Sequence, residues 1–415
     1  MTDADASGSQ QHGVASRLLT FFVFAPFIFT PFLGVLTPKA LAFFVPVCGL
    51  LGTVSLWFSS QTKPVFPKFL WFYTLATLLL IWMSAAWALY PDEALVRITK
   101  LSALIPFSLL FLSVVIAARS SINISRLMQF TLVSCSLSAV FLTIDIMAEG
   151  FLYRLIRGEL DSMLYSTAVY NKGSIVIMVM SLCAFMLQPS GPSFKNLVWF
   201  VPIVAMLFVI QSQATQIGLM LAVLTYAVFP HKYRWAWIVA FVFVAAGMIV
   251  KPFIAPELYN SLAQDVQQVP MMQQAYAAHR LEIWDYISRQ IWESPFIGHG
   301  LEFTREFDGF DSRKVFLPEV NPMHPHSFIL QIWIELGALG IAIALLGIGA
   351  LMRAIYKITD VHIRKTAFAA LTVLVFVASV AFGMWQSWWV VFVITVAAMF
   401  AVSLNDQKKY TAQQR

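Results

Sequence analysis

Apolar stretches of about twenty residues recur along nearly the whole chain, and a segment of that length is what a helix needs to cross a bilayer. They lie near residues 18–36, 41–59, 69–89, 101–118, 127–148, 172–188, 197–212, 215–230, 235–252, 326–350, 366–383 and 387–404. Inside lipid a lone segment satisfies its own backbone only as a helix. The fold class that follows is an all-α polytopic membrane protein with about 12 transmembrane helices. Composition agrees: 12% of residues are charged, against roughly 25% in soluble domains. The seventh and eighth spans are separated only by a polar stretch at Gln211-Ser212-Gln213, and their fusion would reverse the orientation of everything downstream. No internal repeat of either hand is evident.

Basic residues gather in cytoplasmic loops of membrane proteins. With the amino terminus inside, cytoplasmic segments hold 15 of the 27 Lys and Arg. The short outer segments hold seven, namely Lys39, Arg97, Lys100, Arg154, Arg157, Lys172 and Lys251. Both termini are therefore expected in the cytoplasm. The division is a disordered tail at 1–17, spans at 18–252, an extracytoplasmic loop at 253–325, spans at 326–404 and a tail at 405–415. A smaller outer segment covers about 149–171. The first apolar run reads as a retained span, since no small-residue cleavage site follows it. The net charge of +6 fits this loop bias, and no basic patch interleaved with exposed aromatics points to nucleic acid. Cys48, Cys135 and Cys183 all fall in apolar runs and read as small core residues.

The long loop has helical texture. Residues 257–267 and 271–293 lack glycine and are followed by Pro270 and Pro295. In the second stretch Arg280, Trp284, Ile287 and Ile291 recur at helical spacing, and Ser294-Pro295-Phe296-Ile297-Gly298-His299-Gly300 then reads as a turn. Where the loop meets the next span the chain reads His324-Pro325-His326-Ser327, then nine residues, then Gly337-Ala338-Leu339-Gly340. On a helix starting near His326, Trp333 and Gly337 fall about 20° to either side of it and Gly340 about 40° away. One face would carry an imidazole at its outer end and two glycines about 16–21 Å deeper, where a neighbouring helix could approach closely. Taken alone, His326 is an interfacial cap, the glycines are ordinary packing, and Arg280 is a surface residue.

The pattern His-Ser-x9-Gly-x-x-Gly resembles the signature of the bacterial O-antigen ligases, in which a histidine followed by Asn, Ser or Gln precedes this glycine pair. Arg280-Leu281-Glu282-Ile283-Trp284, running into Pro295–Gly300, is similar to the loop pattern shared by those ligases and the O-antigen polymerases. The matched block covers about residues 278–345.

The resemblance implies transfer of an O-antigen glycan from undecaprenyl diphosphate to the outer sugar of lipid A–core, at the periplasmic face of the bacterial inner membrane, with inversion. His326 matches the family position for the base and Arg280 the position that binds diphosphate. Histidine suits proton removal near neutrality, and arginine suits two-pronged contact with phosphate oxygens. Arg157, Asn171, Lys172, Arg289, His324 and Trp284 join the substrate-binding candidates. The spacings Arg157-x15-Gly173 and Arg289-x10-Gly300 resemble arginine-rich loop patterns of the polymerases. The chain departs from the superfamily at 211–216, where Gln-Ser-Gln-Ala-Thr-Gln stands in place of a Ser-Arg pair. A second diphosphate cation is therefore expected from Arg157, Lys172 or Arg289.

No metal or cofactor is expected, because the sequence has no His-Glu-x-x-His and no Asp-x-Asp of the kind used by metal-dependent membrane glycosyltransferases. Glu302, Glu306, Asp308 and Asp311 read as a solvated loop. Glu335, a carboxylate within a span, carries no assigned role. Besides the ligase, an O-antigen polymerase, a protein O-glycosyltransferase and a lipid-linked glycan flippase remain open. The expected partners are the lipid-linked glycan, lipid A–core and the bilayer.

Overall fold

The computed structural model describes residues 3–60, 63–160, 166–189, 194–210, 212–274, 276–305, 315–316 and 324–404. Sixteen α-helices and four short 3-10 turns make up the regular structure of these residues. The helices are α1 Asp3–Leu36, α2 Leu41–Ser60, α3 Lys68–Ser84, α4 Pro91–Ala118, α5 Ile124–Met147, α6 Phe151–Arg157, α7 Asn171–Met186 and α8 Phe194–Leu197. They continue with α9 Val201–Val209, α10 Gln213–Val228, α11 Arg234–Gln268, α12 Pro270–Gln274, α13 Ala277–Ile291, α14 Phe328–Tyr356, α15 Val361–Val380 and α16 Ser387–Ser403. Eight helical stretches are long and apolar enough to cross a membrane, and shorter apolar helices at Lys68–Ser84, Phe194–Val209, Gln213–Val228 and Ser387–Ser403 occupy the other four expected positions. The protein is an all-α polytopic membrane protein.

α7 lies at the centre, packed against α1, α5, α10, α15 and α16, with Gly173 to Ser181 buried without interruption. Gly173 permits this: a Cβ there would meet the Val35 Cα of α1 at 2.8 Å. The three cysteines are buried and free of disulfides. α9 and α10 are separate helices. Ile210 is extended, and the Gln216 amide donates to the carbonyls of Leu207 (2.8 Å) and Ile210 (3.4 Å), so the polar stretch satisfies the loose end of α9. The carboxylate of Asp145, near the end of α5, accepts from the backbone of Leu152 and Tyr153 and from the Tyr170 hydroxyl, fixing α6 beside the start of α7.

Three expectations change. The polar stretch assigned to a disordered tail enters α1, which begins at Asp3; extending an existing helix costs far less than nucleating one. The boundary set at residue 252 is not a break, because α11 runs on through Pro252 and Pro256. Proline removes the donor that would have bonded the carbonyl four residues earlier. Here that carbonyl, of Met248, accepts from Trp333 Nε1 instead (2.8 Å). Third, α14 starts at Phe328, not near His326, and it is broken at Gly337 (φ +61, ψ −157), so the wheel that aligned His326 with the glycines does not apply.

The close neighbour at Gly337 is the 295–300 turn and not another helix. A Cβ on Gly337 would lie 2.4 Å from the Phe296 carbonyl carbon, and one on Gly298 would lie 2.4 Å from that of Glu335. The break frees backbone groups that the turn then satisfies. His299 N donates to Ile334 O (2.8 Å) and Gly300 N to Glu335 O (3.0 Å), while Ala338 N donates to Pro295 O (2.8 Å) and Leu339 N to Phe296 O (3.1 Å). The two stretches set apart in the sequence, Pro295–Gly300 and the glycine pair, are thus two halves of one joint.

Candidate active site

The segment His324–Ser327 is held from four sides. His326 has φ +51, a region costly for a residue with a side chain, so its neighbours must enforce it. From α13, Trp284 Nε1 donates to Pro325 O (2.9 Å). From α11, the Lys251 ammonium donates to Ser327 Oγ (2.9 Å) and Ser379 O (3.1 Å) and lies 3.7 Å above the Trp284 ring. Ser327 Oγ also caps α14 at Leu330 N. After α15, the Ala381 carbonyl meets His326 Nδ1 at 2.9 Å.

That contact decides the tautomer. A carbonyl only accepts, so Nδ1 carries the proton and the Nε2 lone pair is left open. None of the described residues hydrogen-bonds Nε2. Burial holds the His326 pKa below the ordinary histidine value, with the Ala381 carbonyl opposing and nearby Arg280 adding to the shift. The imidazole is therefore neutral at pH 7. His324 packs edge-on at 4.3 Å, and its Nε2 takes a hydrogen bond from the Gln386 amide (3.0 Å), whose oxygen accepts from Trp388 Nε1 (2.6 Å). Burial first, then His326, Lys172 and Arg280, push His324 down to about 3.

These histidines line a cavity of about 1730 Å³. Of the other residues singled out from the sequence, Arg280, Asn171 and Lys172 line it too. Among the described residues no carboxylate lies within 4.0 Å of the Arg280 guanidinium or the Lys172 ammonium. Three candidates lie elsewhere. Arg157 stacks 4.7 Å over Tyr153, Arg289 pairs with buried Asp285 one turn earlier (3.0 Å), and Trp284 supports the histidine segment from behind.

Four lining residues escaped the motif. Arg97, Lys39 and Lys100 enter from α4 and from the turn before α2, and Gln386 from the turn before α16. The first three stand among the seven outer cations counted above. Their expected place among the outer segments was the available clue; nothing in the sequence marked Gln386. Arg97 and Arg305 both bind Glu302 (2.5 and 3.1 Å), so one carboxylate is shared between these two cations.

Glu335 is fully buried, accepting from Trp385 Nε1 and from Gln331 Nε2 (3.2 Å), while Gln331 Oε1 accepts from Met384 N (2.7 Å). Through these bonds α14 fixes the 381–386 stretch, which supplies the partners of both histidines. Among the described residues no group of three His, Cys, Asp or Glu is arranged to hold a metal. Glu306, Asp308 and Asp311 lie outside the described residues.

Residues 197–345, which include Arg280, the 295–300 turn, His326 and the broken helix, match the family model described as O-antigen ligase. Over this stretch, about a third of its length, the chain is similar to the O-antigen ligase family. Among its curated relatives is a "Putative polysaccharide ligase" of Rickettsia prowazekii (strain Madrid E), 22% identical over 314 residues that cover 74% of each chain. Another protein of the same name, from Rickettsia conorii (strain ATCC VR-613 / Malish 7), is 23% identical over 297 residues, 68% of this chain and 69% of that one. No solved structure matches the chain. The superfamily match spans α9 to the middle of α14, whereas Lys39, Lys100 and Lys172 come from outside it.

Proposed function

We propose that this chain is a glycosyltransferase that moves a glycan from undecaprenyl diphosphate to a hydroxyl on the outer sugar of lipid A–core, at the periplasmic face of the inner membrane. The observation that carries this reading is the pairing, in one cavity, of a histidine whose Nε2 is open with a guanidinium that has no carboxylate partner among the described residues. Neutral His326 takes the proton of the acceptor hydroxyl at Nε2. The acceptor oxygen forms its bond to the anomeric carbon as the bond from that carbon to the diphosphate oxygen breaks. The electron pair leaves on the diphosphate, whose charge Arg280 and Lys172 balance. Attack opposite the leaving group inverts the anomeric centre. Asn171, beside Lys172, is placed to hydrogen-bond a sugar or phosphate oxygen.

Both termini then lie in the cytoplasm, with 253–325 and 149–171 outside. The decisive experiment measures transfer by the purified protein from lipid-linked glycan to lipid A–core in excess chelator. Wild type should transfer, while His326→Ala and Arg280→Ala should fall by about a hundredfold or more. Elongation of the lipid-linked glycan without lipid A–core would make the chain a polymerase. Equal transfer by wild type and His326→Ala would remove the base.

A further inference from the structure

The cavity does not end at the polar groups. On one flank it continues between α2 and α4, where Phe43 and Val47 face Leu104 and Phe107. Phe43 is 74% exposed and Phe107 44%, so these apolar walls have little covering them. The cleft closes one and a half turns further along. A Cβ on Gly49 would lie 2.7 Å from the backbone nitrogen of Phe111, so the two helices touch there, backbone to backbone. From Phe43 to Gly49 the opening is about 9 Å deep. Both helices carry an internal proline at this level, Pro46 and Pro106, and proline bends a helix by removing a hydrogen bond and crowding the preceding turn.

At the mouth stand Lys39 and Lys100, each one turn from the apolar wall of its own helix. Lys39 immediately precedes the apolar run of α2, and Lys100 immediately precedes the run beginning at Leu101. A lysine at the end of an apolar run is placed to meet a lipid phosphate. Among the described residues neither lysine has a carboxylate within 4.0 Å, and Lys39 is within electrostatic reach of Lys172.

We propose that this cleft seats the polyisoprenyl chain of the lipid-linked donor, with Lys39 and Lys100 on the phosphate nearest the lipid. The inference rests on the transfer reaction proposed above and adds where its donor lies. Two helices that part over so short a distance admit one hydrocarbon strand, whereas a lipid with several acyl chains needs a broad face. Two positive charges at the mouth match a diphosphate better than the single charge of a bulk phospholipid.

The test uses the full chain in detergent and a farnesyl diphosphate analogue with a diazirine on its last isoprene unit, adducts being mapped by mass spectrometry. Adducts are expected at 42–47 and 103–107. Lys39→Ala and Lys100→Ala should each cut labelling about fivefold, and Val47→Trp should abolish it. Excess dioleoylphosphatidylglycerol should leave it unchanged. Lys39→Ala and Phe43→Glu alter exposed side chains, so loss of labelling in these two decides the matter if Val47→Trp does not assemble. Competition by the phospholipid would make the lysines a general headgroup belt and overturn the inference. Adducts elsewhere, in a protein that still transfers glycan, would overturn the cleft and leave the proposed reaction standing. A wild type that neither labels nor transfers would sink both.

Discussion

The joint between the broken helix and the 295–300 turn makes a quantitative demand on Gly337. Its backbone (φ +61, ψ −157) belongs to a region open essentially to glycine alone, and holding alanine there costs about 1–3 kcal/mol. The added methyl would meet the Phe296 carbonyl carbon at 2.4 Å and Ile297 N at 2.5 Å, backbone atoms that cannot rotate aside. Relief requires the turn to undock, giving up the four backbone hydrogen bonds between the two segments, worth about 1 kcal/mol each. Gly337→Ala should therefore lose roughly 3–5 kcal/mol of local stability and, since Glu335 sits at the joint, most transfer activity. The control is Gly247→Ala in α11, where a Cβ meets nothing within 4 Å. Helix propensity favours alanine there by up to about 1 kcal/mol. Tryptophan-fluorescence unfolding at one fixed scan rate compares the two. Equal midpoints for both variants and wild type would refute the joint as the reason for the glycine.

Further outcomes follow from the site. Lys251→Met removes the charged bond to Ser327 and should lower kcat about tenfold or more, with KM little changed, if Lys251 positions the histidine segment. Against the loss of about a hundredfold or more expected for Arg280→Ala, Arg157→Ala and Arg289→Ala should stay within about threefold of wild type, because those side chains are engaged away from the cavity. The pH dependence has a definite sign. Folded His324 titrates at about 3 against an ordinary 6.5, so as pH falls the unfolded chain takes up the proton first. The contribution to stability is intact above pH 6.5 and is lost progressively towards about 3. Unfolding midpoints measured between about pH 7.5 and 4 should fall more steeply in wild type than in His324→Gln. Transfer itself should begin to decline only at a lower pH than an ordinary histidine would set, as His326 protonates.

The spans were legible because each is a run of apolar residues, and α9 and α10 separated where the polar stretch predicted. The position of Arg280 relative to the histidines was legible through a motif. What escaped was whatever depends on two backbones meeting. The glycine pair suggests helix packing by spacing alone, and only the conformation of Gly337 shows that it receives a turn. Arg289 and Arg157 resemble Arg280 in type and side, yet Asp285 and Tyr153 draw them away, and neither contact follows from periodicity. Gln386 and Ala381 reach the histidines through an amide and a carbonyl on a short turn, which no composition or charge count can mark.

The length of α11 has a consequence for where the reaction takes place. Its 35 residues make a mast about 52 Å tall, roughly 20 Å more than the hydrocarbon core it stands in. α13, packed against its second half with Lys251 on Trp284 and Phe253 on Trp292, is rigged to the mast and not to the water line. A thicker bilayer therefore rises around the fixed rigging, bringing oil closer to Trp284 and His326, while a thinner one leaves them standing higher in water. The expected outcome is a transfer rate that changes with the acyl length of the lipid in which the protein is reconstituted.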